Sequence, residues 1–344
     1  MAAEFPKAWQ YLRGFEPELR AREGKKFDDD KWYRMGRSQN LDKQEVPKLL
    51  VAQLVPGLRI CFDHSGKFYA NNVRVNGILP RGDNGWFLMS MLNAPISNFI
   101  FRWLGKPKDN GYFEANKQFI APLPIPQADG ASRAGLTALA KGLQQRSTQR
   151  IDLLARLAER LAATTRAQLP LEQVLGDVDS IPQIEQKVPK SVPAIGRKVW
   201  VDEERMAQEE AALARLDGMI RLDSAMTVEL AGGKLALLID GAEAAKLFVE
   251  PAHEALVTAQ WTCVALDFTP SGKNDGKRLV DRLRKIAVAA EPAVAAQIIA
   301  IGSELAALSE VLRDDEEQLH ELTCRLFKLT PAERTLVDAS RRGR

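Results

Sequence analysis

A chain of 344 residues can build one large core or two, and 45% hydrophobic with 27% charged residues excludes disorder throughout. With 48 basic and 45 acidic residues the formal charge is only +3, so a nucleic-acid role must rest on how charge is distributed, not on its total. Cys61, Cys263 and Cys324 stand far apart without Cys-x-x-Cys spacing, which excludes a zinc ribbon or disulfide framework and fits a reducing cytoplasm; no stretch approaches the roughly eighteen apolar residues of a membrane span.

Phe5, Ala8, Trp9, Leu12 and Leu19 recur at helical spacing, with Pro6 in the first turn, where its missing N–H costs nothing. They predict a short helix with Trp9 and Leu12 turned inward. Basic residues then gather: Lys7, Arg13, Arg20, Arg22, Lys25, Lys26, Lys31, Arg34 and Arg37 crowd the first forty positions, interrupted by Asp28, Asp29 and Asp30. Residues 32–40 set Arg34, Arg37, Ser38, Gln39 and Asn40 beside Trp32 and Tyr33. Arg, Gln and Asn are the side chains whose paired donors and acceptors match base edges in the major groove. A solvated basic loop before a buried strand would have the same composition.

Residues 49–55, 58–62 and 68–75 are short apolar or β-branched runs punctuated by Pro56-Gly57 and His64-Ser65-Gly66, which predicts strands of one small sheet. Trp86, Met89, Ser90 and Asn93 then share a helical face, as do Ile96, Phe99, Ile100 and Trp103 beyond Pro95. Two short helices joined at Pro95 follow. Leu136, Leu139, Leu143, Ile151, Leu154, Leu157 and Leu161 predict a long helix or helical hairpin ending near Leu169-Pro170, and residues 176–196, with Pro182, Pro189 and Pro193, an irregular connector. Residues 227–230 and 235–239 flank Gly232-Gly233 as a hairpin. Ala- and Leu-rich helices follow, broken at residues 270–276. Thr330, Pro331 and Glu333 have the spacing of a capping box for a last helix.

Several of these pieces recur in one order: the amphipathic segment with Trp9 and Tyr11, the run from Trp32 to Gln39, the Pro47-Lys48 strand, and the strand pair around Phe62-Asp63 and Phe68 to Asn71. Trp86 to Asn93 and Gly111-Tyr112-Phe113 leading into Pro122-Leu123-Pro124-Ile125-Pro126 complete it. The first third of the chain thereby resembles the TaqI-like C-terminal specificity domain of adenine-specific DNA methyltransferases and combined restriction-modification enzymes. Residues 318–333 resemble the terminal helix pair of the same group. The resemblance implies duplex DNA as partner, clamped against a methyltransferase domain or subunit that rotates the target adenine out of the stack.

The chain lacks the residues for that chemistry. Adenine amino-methylation uses an Asn/Asp-Pro-Pro-Tyr/Phe loop, and neither Asn93-Ala94-Pro95 nor Leu123-Pro124-Ile125-Pro126 has that order. No glycine-rich loop for S-adenosylmethionine is present. Glu23-Gly24-Lys25 and Glu185-Gln186-Lys187 lack the upstream carboxylates of a nuclease, and His64, His253 and His320 lack metal-ligand spacing. The chain alone is therefore expected to be non-catalytic and to hold neither cofactor nor metal, S-adenosylmethionine belonging to the catalytic part.

The expected fold is α+β: a small mixed β-sheet target-recognition domain with flanking helices at residues 1–130, a helical spacer at 131–175, a linker at 176–200, an inserted α/β module at 201–300 and C-terminal helices at 301–344. Candidate base contacts are Arg34, Arg37, Gln39 and Asn40. Candidate phosphate contacts are Lys31, Lys48, Lys67, Arg74, Lys106, Lys108 and Lys117, with Asn71, Asn72, Tyr112 and Phe113 as secondary polar or stacking candidates. Two other functions compete: a specificity subunit of the multisubunit restriction-modification type, which should carry two target domains and two helices, and a helical interaction protein without DNA affinity.

Overall fold

Leu49 to Ala52 alternate inward and outward as a half-buried strand must, and with the buried Lys48 before them they form the centre of the first sheet. The computed structural model describes residues 1–36, 40–70, 74–222, 224–289 and 291–342. Helices α1 (Pro6–Arg13) and α2 (Glu16–Lys25) come first, the second broken at Arg22, beyond which Glu23, Gly24 and Lys25 have positive φ. Strands β1 (Lys48–Ala52), β2 (Leu54–Val55), β3 (Ile60–Asp63) and β4 (Val75–Ile78) follow, then α3 (Gly85–Asn93) and α4 (Pro95–Leu104), joined at Pro95 as the sequence predicts. Strand β5 (Phe113–Glu114) pairs with β2, and α5 (Lys117–Ile120) closes the first unit.

The sheet order is β3-β1-β4, with Leu49 opposite both Phe62 and Ile78. The fold is α+β, as expected; among the described residues the strand pairings of this unit are antiparallel where a mixed sheet was expected. The third strand also begins later than the β-branched pattern suggests: Phe68 and Ala70 donate their backbone N–H to the side chains of Asp63 and Gln44 instead of to a neighbouring strand. Leu49, Val51, Ile60, Phe62, Met89 and Phe101 make the core of this unit. At Gly85 a Cβ would stand 2.2 Å from the Phe62 ring, so helix and sheet meet there only because the side chain is missing.

Among the described residues, the outer edge of β3 has no neighbouring strand. Asn93 of α3 donates to the Ile60 carbonyl and accepts from its N–H, both at 2.8 Å, and Gln144 does the same for Phe62 at 3.0 and 2.7 Å. Asn98 of α4 pairs likewise with both backbone groups of Leu58. Three amides from three helices thus satisfy a strand edge.

The long helix α6 (Gly130–Ala162) is opened by Asp129, whose side chain accepts from the Ser132 N–H at 2.7 Å. It ends sooner than the expected Leu169, because β6 (Thr165–Gln168) pairs with a strand far along the chain. Helices α7 (Leu171–Val174), α8 (Ile181–Gln186) and α9 (Arg197–Met219) follow. Leu171, Val174 and Leu175, at the end of the expected spacer, lie in the second core, and Val178 and Ile184 are buried within the expected linker, which is thus packed over part of its length. The expected hairpin is β7 (Met226–Ala231) and β8 (Lys234–Ile239), turning at Gly232 and Gly233 with φ of 57° and 79°. An unforeseen third strand, β9 (Ala242–Phe248), completes an antiparallel sheet. Helices α10 (Glu254–Asp267) and α11 (Asp275–Leu283) bury Trp261, Leu279 and Val280 against it. Strand β10 (Lys285–Ala289) then returns to β6.

Helix α12 (Pro292–Leu326) starts before the expected module boundary at residue 300, and α13 (Pro331–Arg342) follows it. Helices α6 and α12, of 33 and 35 residues, run antiparallel: Leu153, Leu157 and Leu161 meet Ile298, Ile301 and Leu305, while Leu136 meets Leu319. Arg146 pairs with Asp315 between these contacts. By length and composition α12 could cross a membrane, a property the sequence reading did not anticipate; here one face packs on α6 and α10. At α13 Thr330 and Glu333 form the expected capping box. The buried His320 is a core residue held by Asp338 at 2.6 Å.

Candidate nucleic-acid interface

The loops that carry the candidate residues of the first unit are tied together by a buried ion pair. Lys48 is only 2% exposed, and its Nζ donates to Asp63 at 2.8 Å and to the Gln44 carbonyl at 2.6 Å. Asp63 also accepts from Ser65 Oγ, Lys67 N and Phe68 N. Burial opposes the carboxylate charge, but the Lys48 ammonium and these donors outweigh it and hold the carboxyl well below the usual range. Gln44 then takes the Ala70 N–H, and Tyr69 donates to Glu45. Segments 40–47 and 63–70 are thereby closed onto each other. Lys48, expected at a phosphate, is enclosed and fully used; it positions the loops instead of presenting a charge.

On that base Lys67 is exposed, and Asn40 sits at φ 58° with its Oδ1 accepting from Lys43 at 3.0 Å. A second group gathers around Gln53, whose N–H donates to the Arg74 carbonyl and whose carbonyl accepts from Ala115, each at 2.7 Å. Arg74, Lys106 and Lys117 have exposed side chains there. Lys108 pairs with Glu114 at 2.6 Å, and that hydrogen bond lowers the Glu114 carboxyl below its ordinary value. Tyr112 is half-buried, and Phe113 packs on Phe101 with ring centroids 6.1 Å apart, so Phe113 is better placed as support than as a wedge.

A third group is the N-terminal arm. Trp32 is buried against Trp9 and Tyr33. Arg22 lies over the Phe27 ring and donates to the carbonyls of Trp32 and Arg34. Arg34 pairs with Asp29 at 2.8 Å and also faces Phe27, so the acidic run braces this arginine, while Lys31 is exposed. Arg37, Gln39, Asn71 and Asn72 lie outside the described residues.

Trp103 is a further candidate, hidden in the sequence by its helical spacing. It shares a helical face with Ile96, which is buried, yet Trp103 itself is 80% exposed at the end of α4, three positions before Lys106. The usable signal was its nearness to Lys106 and Lys108, as an aromatic beside cations.

No family model and no curated protein matches the chain. Its chemistry must therefore be read from these side chains. Exposed cations on loops over a small sheet can engage a polyanion, and the aromatic can stack. Among the described residues no three His, Cys, Asp or Glu side chains group as metal ligands.

Proposed function

We propose that the chain recognises duplex DNA by sequence, as the specificity portion of an adenine-specific methyltransferase or restriction-modification enzyme acting in the cytoplasm. The observation that carries the reading is the set of exposed cations in the first unit: Lys67 and Arg74 on the loop between β3 and β4, Lys106 before β5 and Lys117 at the start of α5, with the Lys67 end of that loop fixed by the Lys48–Asp63 pair. Phosphate contacts of this kind fix register, and the loop of residues 34–40 would supply base contacts. Methyl transfer and S-adenosylmethionine belong, on this reading, to a partner domain or subunit.

A second reading, the specificity subunit of a multisubunit system, draws support from one specific feature. Each of the two long antiparallel helices follows an α+β unit in the chain. A 33-residue helix is about 50 Å long, enough to separate two DNA contacts by roughly a turn or more of duplex. Selection from random duplexes, followed by gel shifts at two salt concentrations, tests both. One continuous enriched block supports a single target domain, and two blocks with a fixed spacer support the second reading. Absence of binding at low salt would leave a helical interaction protein.

A further inference from the structure

A cleft of 760 Å³ opens where β3 and α4 of the first unit meet α6, α12 and α13, with Ser224 and Ala225 at its border. It lies toward the opposite end of β3 from the Lys48–Asp63 pair. Its size falls within the roughly 300–1,000 Å³ of small-molecule sites. Four arginines line it, each from a different part of the fold: Arg59 before β3, Arg102 on α4, Arg150 on α6 and Arg341 on α13. Arg102 donates to the Pro56 carbonyl at 2.8 Å, and Arg341 pairs with Glu317 at 2.9 Å. Arg59 and Arg150 make no salt bridge or hydrogen bond with a described residue; both act at longer range on Glu316, which also lines the cleft.

Glu316 stands where solvent reaches it but protein surrounds it, and burial raises its carboxyl pKa even though Arg150, Arg341 and Arg59 pull the other way. A carboxylate that fails to close on two nearby guanidiniums is a weak occupant of that space. A phosphate would be a stronger one, because its oxygens match the planar guanidinium fork bidentately. Met89, Leu143 and Leu319 supply an apolar wall beyond the charges, and the volume exceeds what inorganic phosphate alone would fill.

We propose that this cleft binds a nucleoside monophosphate or a ligand of the same build, its phosphate held by Arg59 and Arg150 and its ring against the apolar wall. The site is separate from the loops assigned to DNA, and its ligand would bridge the first unit and the helix pair.

Isothermal titration of the full chain with AMP, GMP, adenosine, inorganic phosphate and a duplex oligonucleotide tests it. The expected result is nucleotide binding at micromolar to sub-millimolar concentration, with adenosine and phosphate each at least about tenfold weaker. Arg150→Ala should weaken the nucleotide about tenfold or more. Glu316→Gln should tighten it severalfold, a gain that misfolding cannot produce. No nucleotide binding at millimolar concentration would overturn the proposal. So would unchanged affinity in a folded Arg150→Ala protein, weaker binding in Glu316→Gln, or displacement of the nucleotide by duplex DNA, which would reassign the arginines to the DNA backbone.

Discussion

Replacing Lys48 by Met keeps most of the side-chain stem and removes the ammonium from a site only 2% exposed. Asp63 would retain Ser65 Oγ at 3.0 Å and Phe68 N at 2.9 Å but lose its counter-charge, and the Gln44 carbonyl would lose a 2.6 Å donor. Removing one partner of a buried pair costs about 3–5 kcal/mol, so Lys48→Met should lower the unfolding free energy by that amount, read by tryptophan fluorescence as a lower urea midpoint at unchanged slope. The double variant Lys48→Met/Asp63→Leu should recover only part of the loss: it removes the unpaired charge, but the N–H groups of Lys67 and Phe68 lose their acceptor. DNA affinity should not recover with it, because segments 40–47 and 63–70 would no longer be closed together. The pH dependence carries the same sign. The folded Asp63 pKa is depressed, so its contribution is complete above the unfolded value of about 3.9 and is lost as pH falls through the folded value. Lys48→Met should therefore flatten the acid limb of stability below about pH 5. A single-variant loss under about 1 kcal/mol, or a double variant that restores DNA binding in full, would refute the positioning role.

In gel shifts, Arg37→Ala should cost roughly 1–3 kcal/mol at one base pair and relax preference there, whereas Lys106→Ala should weaken all sequences and flatten the salt dependence; equal losses on every sequence would remove the base-reading assignment. Gly85→Ala should destabilise by about 1–3 kcal/mol in urea melts through overpacking against Phe62, and a neutral result would mean that helix and sheet can part there. Trp103→Ala should leave the melt within about 0.5 kcal/mol of the parent while reducing DNA affinity severalfold; unchanged affinity would make it an ordinary surface residue.

The helices of this fold were legible where proline and periodicity coincide. Pro95 separates α3 from α4, and Thr330 with Glu333 caps α13, because both signals are local. Strand positions were less so: Phe68 to Ala70 have strand-like side chains, but Asp63 and Gln44 capture two of their backbone N–H groups. Strand β6 lies over a hundred residues from its partner β10, beyond any local pattern. The sign of a residue's charge was readable, but its exposure was not. Lys48 and Lys67 look equivalent in sequence, and only packing makes one a buried strut and the other a surface cation.

The amides along β3 also bear on assembly order and on where the first unit truly ends. An uncovered strand edge invites pairing with another chain. Here the cover arrives from α3, α4 and finally Gln144 of α6, while Ala140 of α6 fills the same core. A fragment stopping at Pro126 would therefore expose Phe62 and its backbone to other molecules and should self-associate. One reaching past Gln144 should stay dispersed, which makes the start of the long helix part of the first unit and not merely its spacer.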